Sequence, residues 1–139
     1  MKVVFPPFPN SSIDPFLITS PETNFYNCIA WAYGDDTKWF WPEGYHWPDD
    51  IKREVTLDCF ILLFEKIGYS VCPDESFEVG FDKVAIYANS NGVPTHAARQ
   101  LPNGLWTSKL GPSFDVTHSI FAMDGGFYGS VAVYMKRPK

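Results

Sequence analysis

The spacing of apolar residues changes at Gly68, and this change limits the folds that the chain can adopt. Before it, apolar residues recur at helical spacing between Thr56, a plausible cap, and Gly68, a plausible end. These apolar residues are Leu57, Phe60, Ile61, Phe64 and Ile67. After Gly68 the apolar runs have strand length and are separated by turn residues. The order predicts an α+β fold, with helices in the first half and an antiparallel sheet in the second.

The predicted strands cover residues 69–72, 83–88, 93–101, 105–110 and 127–135. The turns between the central ones are Asn-Ser-Asn-Gly at 89–92 and Pro-Asn-Gly at 102–104, which are typical of connections between neighbouring antiparallel strands. A meander of this kind places residues from successive strands beside each other.

The N-terminal third is divided by proline and glycine. Prolines at positions 6, 7, 9, 15 and 21 exclude a long helix, so residues 1–20 are predicted to form an extended arm packed on the domain. A helix is predicted over 25–33, with Asn24 as its cap and Gly34 at its end. Residues 35–50 form an irregular aromatic loop. At 139 residues the chain fits one domain, 1–139, with the arm laid over it.

Composition excludes several classes of partner. The net charge is −5 and the basic residues are scattered, which argues against nucleic-acid binding. No apolar run reaches the length of a membrane span, and the N-terminus does not resemble a signal peptide. These features predict a cytoplasmic protein, and secretion by a route without a signal peptide stays compatible with them. Cysteines at 28, 59 and 72 form no C-x-x-C motif, so neither a zinc site nor another cofactor is predicted.

Cys28 is the candidate nucleophile. It lies near the start of the predicted helix, where the positive end of the helix dipole favours the thiolate. The alternative is that Cys28 is a small buried apolar residue. Asn27 and the Cys28 backbone amide are candidate donors to an oxyanion. Asn27 is equally suited to capping the helix.

His96 is the candidate general base, because a mid-strand histidine is held rigidly against a nucleophile that another element supplies. The alternative is a structural histidine. Asp115 is the predicted orienting group for the imidazole. Ser108, on the strand expected to pair with that of His96, and His118 are alternatives for this role.

Aromatic residues at 39, 41 and 47 are predicted to wall a substrate cleft. Further candidates for contacts with a substrate are Trp31, Trp41, Gln100 and Ser108.

A helix-borne cysteine followed by a meander with a mid-strand histidine resembles the papain-like superfamily, which includes transglutaminase-like proteins and NlpC- and CHAP-type endopeptidases. The motifs Asn-Cys-Ile-Ala-Trp-Ala, Thr-His-Ala-Ala-Arg-Gln and Trp-Thr-Ser-Lys-Leu-Gly also resemble a bacterial family of uncharacterised small proteins. The first resemblance implies a papain-like fold and a cysteine hydrolase, such as a thiol protease, or an acyltransferase. Its substrate would be a peptide or acyl compound, cleaved at an amide or isopeptide bond through Cys28, His96 and Asp115.

One position departs from the NlpC pattern. There the catalytic histidine begins a strand that reads His-Val-Gly-Ile-Tyr, whereas Lys83 begins the similar strand here. Either His96 on the next strand supplies the base, or the fold is not catalytic. The second possibility predicts a binding module that holds a peptide, glycan or protein partner in an aromatic cleft.

Overall fold

The computed structural model describes residues 1–139 and contains one eight-stranded antiparallel sheet. The strands lie in the order β1-β2-β7-β6-β5-β4-β8-β3. Their bounds are β1 Lys2–Val3, β2 Phe16–Ser20, β3 Ser70–Cys72, β4 Phe81–Ala88, β5 Pro94–Gln100, β6 Trp106–Lys109, β7 Asp115–His118 and β8 Ser130–Pro138.

The helices are short, and a side-chain cap begins each α-helix. They are α1 Cys28–Tyr33, α2 Leu57–Glu65 and α3 Ile120–Met123, together with a 3₁₀ turn at Pro9–Ser12. Asn27, Thr56 and Ser119 each accept a hydrogen bond from a backbone N–H in the first turn of the helix that follows. Gly34 ends α1 at φ 103°, a left-handed conformation that favours glycine. No helix has the length and apolar character needed to cross a membrane.

The pleat of β4 and β5 divides the apolar side chains between two cores. Ile86 pairs with Ala97, and both belong to the core formed with α1 and α2, here called the helix-side core. Ala85 pairs with Ala98, and both belong to the core formed with the N-terminal arm and α3, the arm-side core. Successive residues point to opposite faces of a sheet. Both faces of this strand pair are therefore covered.

The predicted papain-like α+β class is wrong, because the molecule is dominated by its sheet. The helices contain only four to nine residues. The predicted extended arm supplies β1 and β2, and residues 115–118 form β7, which the sequence analysis did not predict. Leu17 pairs with Thr117 across the sheet. Such a pairing between distant residues leaves no local periodic signal.

Strands β5 and β6 separate along part of their length. They pair only through Arg99 with Thr107 and Gln100 with Trp106, so the first residues of β5 and the last of β6 are not joined by the ladder. Helix α1 packs over these two strands. The resulting opening lies between residues 94–98 and 108–110, and it positions the site described below.

The turn before β8 is built around a glycine that contacts β4. A Cβ on Gly129, where φ is 82°, would lie 2.1 Å from the carbonyl oxygen of Ala88, whereas Gly44, at φ 84°, has open space around it. We expect Gly44→Ala to lower the free energy of unfolding by ~1–2 kcal/mol through backbone strain alone. Gly129→Ala should cost a further ~1–3 kcal/mol because the neighbouring backbone must move.

Urea unfolding of both variants measures this difference. Equal losses of stability in Gly44→Ala and Gly129→Ala would contradict the close approach of the turn to β4.

Candidate functional site

A cavity of about 320 Å³ opens beside Cys28 and is walled mainly by aromatic rings. The side chains that line it carry no ionised carboxylate, ammonium or guanidinium group. Its lining residues are Asn27, Cys28, Trp39, Trp41, Tyr45, Thr95, Gly111, Phe127 and Tyr128. This cavity, the Cys28 pocket, therefore combines one thiol with an apolar wall.

A larger depression of about 730 Å³ is less suited to chemistry. Three of its four charged groups already have partners: Lys66 Nζ lies 2.9 Å from Asp50 Oδ2, and Arg53 donates to the carbonyl oxygens of Pro42 and Tyr45. It contains no thiol.

Cys28 is the first residue of α1, and its side chain is buried. The backbone N–H groups of Ala97, on β5, and of Ile29 act to lower the pKa of the thiol and so favour the thiolate. Burial opposes them more strongly and raises the pKa of Cys28 to about 11. The thiol is therefore neutral in this state at physiological pH, although its position near a helix start favours the opposite.

His96 lies entirely out of solvent on β5. Its Nε2 is 2.9 Å from Ser108 Oγ, and its ring stacks on Tyr128 with centroids 4.1 Å apart and an interplanar angle of 5°. Its Nδ1 has no hydrogen-bond partner. Burial, together with the nearby His118, holds the pKa of His96 well below its usual value. The imidazole is thus neutral and has one nitrogen without a partner.

Ser108 joins His96 to a second buried histidine. Its Oγ lies 2.7 Å from His118 Nε2, and His118 Nδ1 lies 2.8 Å from the carbonyl oxygen of Ser119. Burial lowers the pKa of His118 to about 4, although the Ser119 carbonyl and Asp14 act in the other direction. Two of the three groups proposed from the sequence as orienters of His96 therefore lie in one hydrogen-bonded chain.

Asp115, the predicted orienter, is not part of that chain. Its Oδ2 accepts a hydrogen bond of 2.6 Å from the Tyr26 hydroxyl and another from Ser20. Along β7, residue 115 lies on the face opposite to that of residue 118 because their positions differ by an odd number. The carboxylate thus fastens the segment before α1 to β7 and does not bond to His96.

The thiol and the imidazole meet β5 from opposite faces. Cys28 packs in the helix-side core with Ala97, whereas His96 precedes Ala97 on the strand and lies beside Tyr87 on the arm side. No hydrogen bond joins Cys28 to His96, since His96 Nδ1 has no partner and Nε2 bonds to Ser108. Tyr128 is adjacent to both groups, because it stacks on His96 and lines the Cys28 pocket.

The remaining predicted site residues divide between the pocket and its surroundings. Trp41 lines the Cys28 pocket and packs edge-on against Phe60. Trp31 lies outside it and donates a 3.0 Å hydrogen bond to Thr107 Oγ1. Gln100 also lies outside it and donates to the carbonyl oxygen of Glu75.

Asn27 lines the pocket, but part of its amide is already used. Its Oδ1 accepts from the N–H groups of Ala30 and Phe40, and its Nδ2 donates to the Phe40 carbonyl at 2.8 Å. It is therefore the cap of α1, in place of the predicted Asn24, and it fastens the aromatic loop to that helix. These bonds use both the oxygen and one N–H of the amide, so the second N–H of Nδ2 is the donor that could serve the predicted oxyanion role.

Two parts of the site have roles that the sequence does not indicate. Phe127 and Tyr128 reach the pocket from the turn before β8, where Thr95 Oγ1 donates to the Tyr128 carbonyl. Lys109, fully buried, donates to the carbonyl oxygens of Thr23, Gly111 and Ser113, and its charge lowers the pKa of the Cys28 thiol. The aromatic wall and the Lys109 hydrogen bonds both form between segments that are distant in the chain, so no local sequence motif predicts them.

Lys83, the residue that departs from the NlpC pattern, is held by an ion pair and a hydrogen bond. It is fully buried, with Nζ 2.8 Å from Glu78 Oε2 and 3.1 Å from the carbonyl oxygen of Asp74. The Lys83 side chain therefore holds the segment before β4. No group of histidine, cysteine, aspartate and glutamate side chains is arranged to hold a metal ion.

The fold and the site define an antiparallel-sheet protein with a buried thiol at an aromatic pocket. A family model described as a domain of unknown function, DUF7689, matches residues 17–136, and the chain belongs to that family. No curated protein and no solved structure matches the chain. No papain-like, NlpC-type or transglutaminase-like family is found, so the finer part of the resemblance stays a hypothesis.

The buried histidines predict loss of stability in mild acid. Both have folded-state pKa values below the usual value near 6.5, so the unfolded chain takes up protons first as the pH falls. The free energy of unfolding should therefore decrease as the pH falls from ~6.5 toward ~4, by up to ~1.4 kcal/mol per pH unit for each histidine. Urea unfolding at intervals across this range measures the slope.

His118→Gln should remove the contribution of one histidine to this slope. The parent chain, in which both buried histidines are present, is the reference for this comparison. A slope that is the same in His118→Gln and the parent chain would show that His118 is not buried as a neutral group.

Proposed function

We propose that the chain is a thiol-dependent hydrolase or acyltransferase that acts on an amide or related acyl bond, with Cys28 as nucleophile and His96 as base. One observation carries the proposal. The Cys28 thiol, in the wall of a substrate-sized pocket, packs in the same core as Ala97, the residue next to a histidine whose Nδ1 has no partner. Acyl transfer requires a nucleophile and a base that can reach each other, and these two groups lie on opposite faces of the same short stretch of β5.

The reaction begins with transfer of the thiol proton from Cys28 to His96 Nδ1. The thiolate attacks the carbonyl carbon, the C–S bond forms, and the carbonyl oxygen becomes an oxyanion. His96 returns the proton to the leaving group as the carbonyl carbon–leaving-group bond breaks, which leaves a thioester on Cys28. Water or a second acceptor then attacks the thioester, and the thiol is restored.

The proton transfer requires a change from the resting arrangement. His96 is fully buried, and Tyr128, which stacks on the face of its ring, also lines the pocket of Cys28. We infer that substrate entry displaces the Tyr128 ring and lets the thiol and the imidazole meet through the opening between β5 and β6. The neutral resting thiol, with its pKa near 11, fits an enzyme that is activated only with substrate bound.

The pocket supports an uncharged, apolar group next to the scissile bond. Aromatic rings from Trp39, Trp41 and Tyr45 form one wall, and Phe127 and Tyr128 form another. None of these carries a charge that would pair with an ionic substrate at neutral pH. On this proposal the Ala97 N–H, which acts to lower the pKa of the Cys28 thiol, donates to the oxyanion once the thiol has reacted.

A non-catalytic binding module is the second candidate function, and one observation favours it. The pKa of Cys28 is raised, and no hydrogen bond joins the thiol to a base. On this hypothesis the aromatic pocket holds a peptide, glycan or protein partner, and Cys28 is only part of its wall.

Acylation by p-nitrophenyl acetate, resolved by peptide mass spectrometry, separates the two. The enzyme hypothesis predicts a thioester on Cys28 that forms about 10²–10⁴ times more slowly in His96→Ala, because the base is lost. Cys59→Ala, which removes another buried thiol from the helix-side core, is the matched control and should not change the rate.

The rival hypothesis predicts a different outcome. A folded protein whose Cys28 stays unmodified, or is acylated equally fast without His96, would exclude the catalytic pair and favour the binding module. Circular dichroism of each variant establishes that the fold is retained.

A further inference from the structure

We propose that Ser108 links His96 to His118 as a proton relay, so that when His96 takes the proton of Cys28 the positive charge comes to rest on His118. This inference rests on the proposed function. It assigns Ser108 and His118 as positioning residues that act through His96. The geometry of three buried side chains on neighbouring strands carries it.

The distances fix the direction of each hydrogen bond. His118 Nδ1, 2.8 Å from the Ser119 carbonyl oxygen, must carry a proton, because a carbonyl only accepts. The neutral ring then has a bare Nε2, which accepts the Ser108 hydroxyl proton over 2.7 Å. Since that hydroxyl has one proton, His96 Nε2, 2.9 Å away, is the donor to Ser108. His96 Nδ1 therefore carries a lone pair and no proton.

That bare nitrogen is unusual for a buried group. His96 is fully buried, and its Nδ1 has no donor within reach, although buried polar atoms are nearly always paired. A histidine kept only for structure would gain from a partner at this position. A base that awaits a proton must keep the position free.

After the first proton transfer, two further proton transfers complete the relay. When His96 Nδ1 accepts the thiol proton, Nε2 passes its own proton to Ser108 Oγ, and Ser108 passes its hydroxyl proton to His118 Nε2. His96 ends as the neutral Nδ1–H tautomer, Ser108 is unchanged, and His118 becomes an imidazolium. No bond other than N–H, O–H and S–H is altered.

The surroundings favour His118 as the place for the positive charge. His96 is enclosed by the rings of Tyr87 and Tyr128, neither of which is charged at neutral pH. His118 packs on Phe16 and bonds to Ser119, whose hydroxyl donates to Asp14 Oδ2 at 2.5 Å. Asp14 is the carboxylate that raises the pKa of His118, and no carboxylate acts in this way on His96.

Histidine tautomers and protonation in the whole chain can be observed directly by ¹⁵N NMR of ¹⁵N-histidine-labelled protein. We expect the Nδ1–H tautomer for His118 and the Nε2–H tautomer for His96 at neutral pH. On acidification the first proton of the pair should appear on His118. A first proton on His96, or the opposite tautomers, would overturn the relay.

Acylation of Cys28 by p-nitrophenyl acetate supplies the second test. His118→Gln keeps an acceptor for Ser108 that does not take up a proton, and we expect the rate to fall about tenfold or more with His96 intact. Ser108→Ala should have a similar effect, whereas Ser108→Thr, which keeps the hydroxyl, should restore much of the rate.

The outcomes separate this inference from the proposed function. If His96→Ala abolishes acylation while His118→Gln reacts at the parent rate, the relay is wrong and the catalytic pair stands. If His96→Ala reacts at the parent rate, the proposed function fails, and the relay fails with it. Should His118→Gln not fold, the NMR measurement on the unaltered chain still decides.

Discussion

The antiparallel pairing of β4 with β5 is the constraint on which the rest of the structure depends. Val84, Ala85, Ile86 and Tyr87 are all fully buried, because helices cover one face of the pair and the arm with α3 covers the other. A strand buried on both faces cannot slip by one residue without moving apolar groups between two different cores. Its register therefore also fixes which side chains of β5 meet α1 and which meet Ser108.

The candidate site exists because β5 pairs with its other neighbour, β6, at only two positions. Beyond the pair formed by Arg99 and Thr107, the ladder between the strands is not continued, and Ala97 packs in the same core as the Cys28 thiol. Across the same opening His96 bonds to Ser108. A thiol on one face and an imidazole on the other thus lie next to a gap in the ladder, with Tyr128 adjacent to both. The proposed chemistry depends on that gap.

Local patterns in the sequence predicted part of this arrangement. The cap at Thr56 and the strands near 83–88 and 93–101 are confirmed, since each depends on residues close in the chain. The helix ends at Glu65, three residues before the predicted end at Gly68. The fold class was wrong because β2 pairs with β7, a contact between segments about a hundred residues apart. The prediction that Asp115 orients His96 used only its position in the chain. The pleat of β7 directs the Asp115 side chain toward Tyr26 instead. Ser108, named for its position on the neighbouring strand, does bond to His96, because strand adjacency can be inferred from a tight turn.

A crystal structure of the chain after reaction with p-nitrophenyl acetate would test the central claim most directly. The account predicts an acetyl thioester on Cys28, its carbonyl oxygen within hydrogen-bond distance of the Ala97 N–H, the Tyr128 ring displaced, and His96 Nδ1 facing the thioester. An acetyl group found only on exposed lysine or tyrosine side chains, with His96 still stacked on Tyr128, would contradict it.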